Sequence, residues 1–180
     1  MGPVSHEVGW LVVVILIEAA IIDGRQLRVP NWLTYHFLMG GLIFAFWKGG
    51  SPMLAWSAAG AVTGLFTLLP LYAIGGMGAG DVKLMAGMGA WIGPWMTLWA
   101  FVSTALVGAV MATVMIATSG ALFHHLGMIQ SIGREILVVR DPVLLSERAA
   151  ERKPTMTLLP YGIPIAVGSI GYLAWAGLLF

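Results

Sequence analysis

The chain has no cysteine. That excludes disulfides, thiolate-held zinc and a cysteine nucleophile. Charge is nearly as scarce: nine Lys and Arg stand against eight Asp and Glu in 180 residues, where a soluble domain of this size carries about a quarter charged residues. The formal net charge of +1 by itself says nothing about nucleic acid, and none is expected as a partner. The only long polar connection is residues 119–156, and there is no internal repeat or low-complexity tract. The first apolar block lacks a basic lead-in, since His6 and Glu7 precede it, and no small-residue cleavage site follows. It is therefore expected to be a retained helix and not a cleaved signal peptide.

What remains is apolar. The composition is 59% hydrophobic and the mean hydropathy is +0.90. Apolar blocks approach the roughly 20 residues that cross a bilayer as a helix. The expected fold is an all-α polytopic membrane protein, one domain over residues 1–180, surrounded by lipid. Six helices are expected, near 8–22, 31–47, 53–74, 81–92, 95–118 and 157–180, the last interrupted by Pro160 and Pro164. Asp23 to Pro30 reads as a polar turn, with Asn31 capping the second helix. Gly60 and Gly64 have the spacing for close helix contact. Within 119–156, Asp141-Pro142 starts and Pro154 stops a short amphipathic helix at the membrane surface.

With six spans, the loops after the first, third and fifth helices hold Arg25, Arg28, Lys83, Arg134, Arg140, Arg148, Arg152 and Lys153, against Lys48 alone on the other side. Basic residues stay cytoplasmic, so both termini are expected outside. Asp23 and Asp81 then fall on the cytoplasmic side. The fourth helix is short: twelve residues reach about 18 Å against a hydrocarbon core of about 30 Å. Gly-rich backbone at that depth has to be buried in protein or face water, which predicts a wet cleft beside Asp81.

A carboxylate between apolar segments is costly unless paired, wetted or used. Two carboxylates sharing a site cannot both ionise cheaply, so one keeps its proton. The ionised one can then take a proton from water while the other polarises a carbonyl, the arrangement of aspartic proteases, which needs no metal or cofactor. Gly78 and Gly80 would let a substrate backbone lie close to Asp81 and would allow unusual dihedrals. By itself Gly-x-Gly-Asp is an ordinary turn with a helix cap; the membrane setting and the second acid give it weight.

Asp23 followed by Arg28-Val29-Pro30-Asn31-Trp32-Leu33-Thr34, and Gly75-Gly76-Met77-Gly78-Ala79-Gly80-Asp81-Val82-Lys83-Leu84, resemble the two signatures of type IV prepilin peptidases. Leu159-Pro160-Tyr161-Gly162-Ile163-Pro164 resembles that family's final-helix motif. The resemblance implies a six-helix aspartyl protease that cuts leader peptides from pilin precursors at the cytoplasmic face of the bacterial inner membrane, with Asp23 and Asp81 as the catalytic pair. Longer members carry a cytoplasmic insertion with paired cysteines, linked to N-methylation. This chain resembles the short, peptidase-only form found with tight-adherence (Flp-type) pili, without methyltransferase activity.

Other residues have a plain and a sharper reading. Lys83 is an interface anchor or recognises an acid on the substrate; Arg25 and Arg28 are positive-inside residues or touch substrate. Glu18 and His36 are at matching depths and are expected to pair as buried polar groups. His124-His125 has no acid or spaced histidine that would make a metal site. Pro160 and Tyr161 either kink the last helix or shape the cleft. Trp10, Trp47, Trp91 and Trp95 read as interface-belt residues. Three other functions fit a two-acid membrane protein: a signal-peptide-peptidase-like protease, a proton-coupled transporter relaying protons through Asp23 and Asp81, and a scaffold. The first differs in placing its first Asp within a helix, next to Tyr, where Ile22 precedes Asp23 here. The transporter would show pH-linked uptake and no hydrolysis.

Overall fold

The computed structural model describes residues 4–73, 76–119 and 160–180, so the expected surface helix within 119–156, His124-His125 and the start of the last expected helix lie outside the described residues. The regular structure among the described residues is all helical: α1 (His6–Gln26), α2 (Asn31–Ala73), α3 (Ala79–Ser119) and α4 (Gly162–Trp175). Two of these, α2 and α3, are long and apolar enough to cross a bilayer. Many of their large hydrophobic residues are exposed, among them Ile43, Phe46, Phe66, Leu106 and Val110. A soluble protein does not present so wide an apolar surface, and this one belongs in lipid.

Both long helices are broken by glycine. In α2 the break is at Gly49 and Gly50, the latter at φ 62° and ψ −151°; in α3 it is Gly93, at φ 78° and ψ 172°, followed by Pro94. These are dihedrals that only glycine adopts at little cost. The contacts on either side of each break give the direction of each arm. Along the first arm of α2, Val29, Phe37 and Gly41 meet Gly80, Gly87 and Ala90 in that order, so it runs parallel to the start of α3. Along the second arm, Gly60 meets Gly89 and Gly64 meets Met85, so it runs the opposite way. The second arm of α3 is antiparallel to α4, with Thr104 beside Gly168 and Gly108 beside Pro164. At one end of α1, Gly24 lies against Ile163; at the other, Gly9 lies against the Leu178 carbonyl, which His6 Nδ1 also approaches at 3.2 Å. Among the described residues six helical runs therefore alternate in direction, and His6 and Leu178 share the end of the bundle away from Gly80 and Gly162.

The first arm of α3 is the core. Asp81, Val82 and every residue from Leu84 to Ala90 are buried. That answers the question raised by its length: it is short because it is wrapped by the two arms of α2. Small residues make the wrapping possible. A Cβ on Gly60 would run into the Gly89 carbonyl, and one on Gly64 into the Met85 carbonyl, so these helices touch backbone to backbone. Ser57 donates its hydroxyl to the Ala90 carbonyl at 2.6 Å. Trp91 is not a belt residue: its indole N–H donates to the Phe37 carbonyl at 2.8 Å and its ring packs on Phe37 and Phe44. Trp10, Trp47 and Trp95 are exposed.

Three expectations are corrected. Helix α1 does not stop at Ile22; it continues to Gln26, with Asp23 in its last turn. Polar residues there are compatible with a helix reaching the interface, and Arg25 suits the negative end of its dipole. Glu18 and His36 are not a buried pair: both are exposed, and His36 Nδ1 is 2.6 Å from the Trp32 carbonyl in its own helix. Pro164 does not interrupt the last helix: it stands in the first turn of α4, where a missing N–H costs nothing, and α4 ends at Trp175 and not at Phe180.

Candidate active site

Both aspartates of the sequence motifs are buried, Asp23 at 2% exposure and Asp81 at 5%. Each is held by a glycine N–H at the start of a helix. At α3, Gly78 donates to Asp81 Oδ2 at 3.0 Å. At α4, Gly162 donates to Asp23 Oδ2 at 2.7 Å. Helix starts carry unsatisfied N–H groups and partial positive charge, so they suit carboxylates.

The last helix joins the two halves. Tyr161, one residue before α4, has its phenol pushed above the usual tyrosine range, first by burial and then by the negative charge of Asp81. The dipeptide Tyr161-Gly162 thus lies within electrostatic reach of Asp81 through one residue and hydrogen-bonds Asp23 through the next. Pro160 sets this start, its carbonyl accepting the Ile163 N–H at 3.1 Å.

A cavity of about 410 Å³ opens beside Asp81. It is lined by Leu27, Arg28, Val29 and Asn31 from the first motif and by Gly78, Ala79, Gly80 and Asp81 from the second. Asp23 is not among the lining residues. The volume is within the usual range for small binding sites. Arg28 is exposed at its rim. Leu27 ends α1 at φ 52°, the one positive φ outside glycine among the described residues, with its N–H donating to the Asp23 carbonyl at 2.8 Å. A left-handed leucine costs about 1–2 kcal/mol. Because its side chain is exposed, Leu27→Gly is expected to raise stability by about 1 kcal/mol, read as a higher unfolding temperature in detergent.

Both glycines of the second motif line the cavity beside Asp81. Neither has a positive φ. Gly80 is small because a Cβ there would lie 2.6 Å from the Val29 carbonyl, so the protein's own first motif occupies that close approach. Gly78 is the donor to Asp81. Lys83 is engaged within the chain: its ammonium donates to Asn31 Oδ1 at 2.9 Å and to the Tyr35 hydroxyl at 3.3 Å, and lies 4.9 Å from the Tyr35 ring centre. It ties the start of α3 to the start of α2. Tyr35 and Gly162 were not singled out from sequence; Gly162 stood within the final-helix motif, but only its distance from Asp23 in space reveals its part. A second cavity, of about 400 Å³, lies near the glycine break of α2, lined by Phe44, Lys48, Trp56 and Trp91 among others, away from both aspartates.

Residues 10–128 match the type IV leader peptidase family. Among curated proteins, the chain is 37% identical over 105 residues to a prepilin leader peptidase/N-methyltransferase of Aeromonas hydrophila, covering 54% of this chain and 36% of that protein. It is 34% identical over 158 residues to the protein of the same description from Neisseria gonorrhoeae, covering 79% of this chain and 54% of the relative. A type 4 prepilin-like proteins leader peptide-processing enzyme of Escherichia coli is 35% identical over 101 residues, 49% of this chain and 37% of the relative. The chain thus spans about a third to a half of the length of these relatives. No solved structure matches it significantly.

Proposed function

This chain belongs to the type IV leader peptidase family, and on that premise we propose that it is a membrane aspartyl endopeptidase that removes leader peptides from pilin precursors at the cytoplasmic face of the inner membrane. The observation that carries the reading is the arrangement of two buried carboxylates at one end of the bundle, Asp23 bonded to the Gly162 N–H and Asp81 with a cavity beside it. The six alternating runs are read as six membrane spans. Arg25, Arg28 and Lys83 are all at the aspartate end and Lys48 at the other, which orients the aspartates to the cytoplasm and the chain ends outside.

The chemistry follows from two acids sharing a proton. The ionised carboxylate takes a proton from a water molecule, whose oxygen bonds to the scissile carbonyl carbon. The protonated partner hydrogen-bonds the carbonyl oxygen as negative charge develops there. Collapse of the tetrahedral intermediate breaks the C–N bond as a proton passes to the leaving nitrogen. No step calls for a metal or cofactor. The substrate would present its apolar helix from the bilayer and its leader from the cytoplasm, past Arg28. To these 180 residues we assign the peptidase step and not N-methylation, with a Flp-type (tight-adherence-like) prepilin as the substrate class.

The placement of Asp23 within α1 removes one of two distinctions from a signal-peptide-peptidase-like enzyme; Ile22 in place of Tyr remains. The decisive experiment is incubation of a pilin precursor with the purified protein in detergent, with and without excess chelator. The expected result is a shortened product with an unmethylated N-terminus, formed at the same rate within about twofold in either condition. Pilin that stays uncut, alongside pH-linked uptake in vesicles, would sink the protease reading in favour of a transporter.

A further inference from the structure

Two facts about Gly162 coincide. Its N–H, one of the first of α4, donates to Asp23 Oδ2 at 2.7 Å; such a donor has no partner within its helix, and a bond to a carboxylate is among the stronger kinds. There is also no room for a side chain. A Cβ on Gly162 would lie 2.8 Å from Asp23 Cβ, 2.9 Å from Oδ2 and 3.1 Å from Cγ. All three of these nearest atoms belong to Asp23. Gly162 does not have a positive φ, so conformational freedom is not the reason for glycine here.

Asp23 has little scope to yield. It is 2% exposed, and its backbone is fixed by the Leu27 N–H at 2.8 Å. The contrast with Asp81 is in how far the donor is along the chain. Asp81 is held by Gly78, three residues away, within a turn that forms locally. Asp23 is held from 139 residues away, so its carboxyl is oriented only when α4 docks.

We propose that Gly162 is a positioning residue for Asp23, and that the last helix sets the orientation of the first acid of the dyad. The N–H fixes Oδ2 and with it the plane in which the carboxyl group is presented. The missing side chain lets α4 approach closely enough to make that bond. The kinetic consequence rests on the peptidase reading above; the contact itself does not.

The test uses the full chain in detergent and has two arms. In the first, Gly162→Ala should lower kcat for precursor cleavage at least about tenfold with KM within about twofold, because orientation of a catalytic group is altered and binding is not. Gly171→Ala, in the same helix with nothing within 4 Å, should leave both within about twofold. In the second arm no substrate is needed. Gly162→Ala should lower the unfolding temperature by about 2–4 °C or more in the wild-type background, and by clearly less in an Asp23→Gly background, which removes all three crowding atoms. Should Gly162→Ala fail to accumulate folded, its recovery by Asp23→Gly supports the proposal in the same way. A kcat within twofold of wild type overturns it, as does an equal stability loss in both backgrounds. If wild type cuts no precursor, the peptidase reading fails and the second arm alone decides the positioning.

Discussion

Asp81→Asn and Asp23→Asn should each lower the rate of precursor cleavage by about a thousandfold or more while the protein still folds. The magnitude is that of removing a positioned acid or base from a hydrolytic site, about 10²–10⁴ for proton transfer alone. The fold should survive because the change is nearly isosteric. An asparagine carbonyl oxygen can still accept the N–H of Gly78 at position 81 or of Gly162 at position 23, the bonds that now hold the carboxylates at 3.0 Å and 2.7 Å. What is lost is the titrating proton. The double variant should be little worse than either single one, since residues that act as one unit are not additive. The measurement is single-turnover cleavage in detergent, with thermal unfolding as the control. Either single variant keeping more than a tenth of wild-type rate would remove the two-acid mechanism.

Gly60→Ala should cost about 3 kcal/mol of stability, the largest expected effect away from the aspartates. A Cβ at Gly60 would run into the Gly89 carbonyl, and one at Gly89 into the Gly60 carbonyl. Backbone cannot rotate out of the way as a side chain can, so the second arm of α2 and the first arm of α3 would have to separate. Overpacking a close contact of this sort costs about 1–3 kcal/mol or more. Gly89→Ala should cost about as much, and the pair less than the sum, because both substitutions relieve or violate one contact. Gly171→Ala, with open space around it, should change stability by no more than about 0.5 kcal/mol. Reversible unfolding in mixed detergent measures all four. An effect at Gly60 no larger than at Gly171 would mean that the helices do not touch where the structure brings them together.

The second prediction also bears on the first. Asp81 opens the arm of α3 that Gly60 and Gly64 grip. Loosening that grip should lower cleavage along with stability. Positions at the far end of α4, such as Gly171, should affect neither.

The helical character of the chain was legible because apolar blocks in a chain with so few charges allow little else. Glycine and proline marked the breaks, and the small-residue spacing of Gly60 and Gly64 pointed to close packing, which the structure has. The two motifs were legible as unusual acids among apolar residues. Errors arose where a residue's partner is distant in sequence. Glu18 and His36 looked like partners by depth, but depth does not fix which way a helix face turns. The close approach of Val29 to Gly80 likewise joins residues far apart in the chain, which the spacing of the motif alone does not show. Asp23 looked like part of a turn because polar residues follow it, yet the helix runs on to a left-handed Leu27.

By itself the sequence determined what depends on composition and local order: an all-helical protein for lipid, the positions where its helices break, and two acids flanked by basic residues. These follow from the cost of unpaired backbone in hydrocarbon and from backbone preferences within a few residues. Only the tertiary structure decided what depends on contacts across the chain. It decided that the short arm of α3 is the core, that Lys83 is tied to Asn31 and Tyr35, and that the start of α4 holds Asp23 from 139 residues away. Those contacts form through the docking of whole helices, and a helix's own sequence does not state which neighbour its small residues will meet.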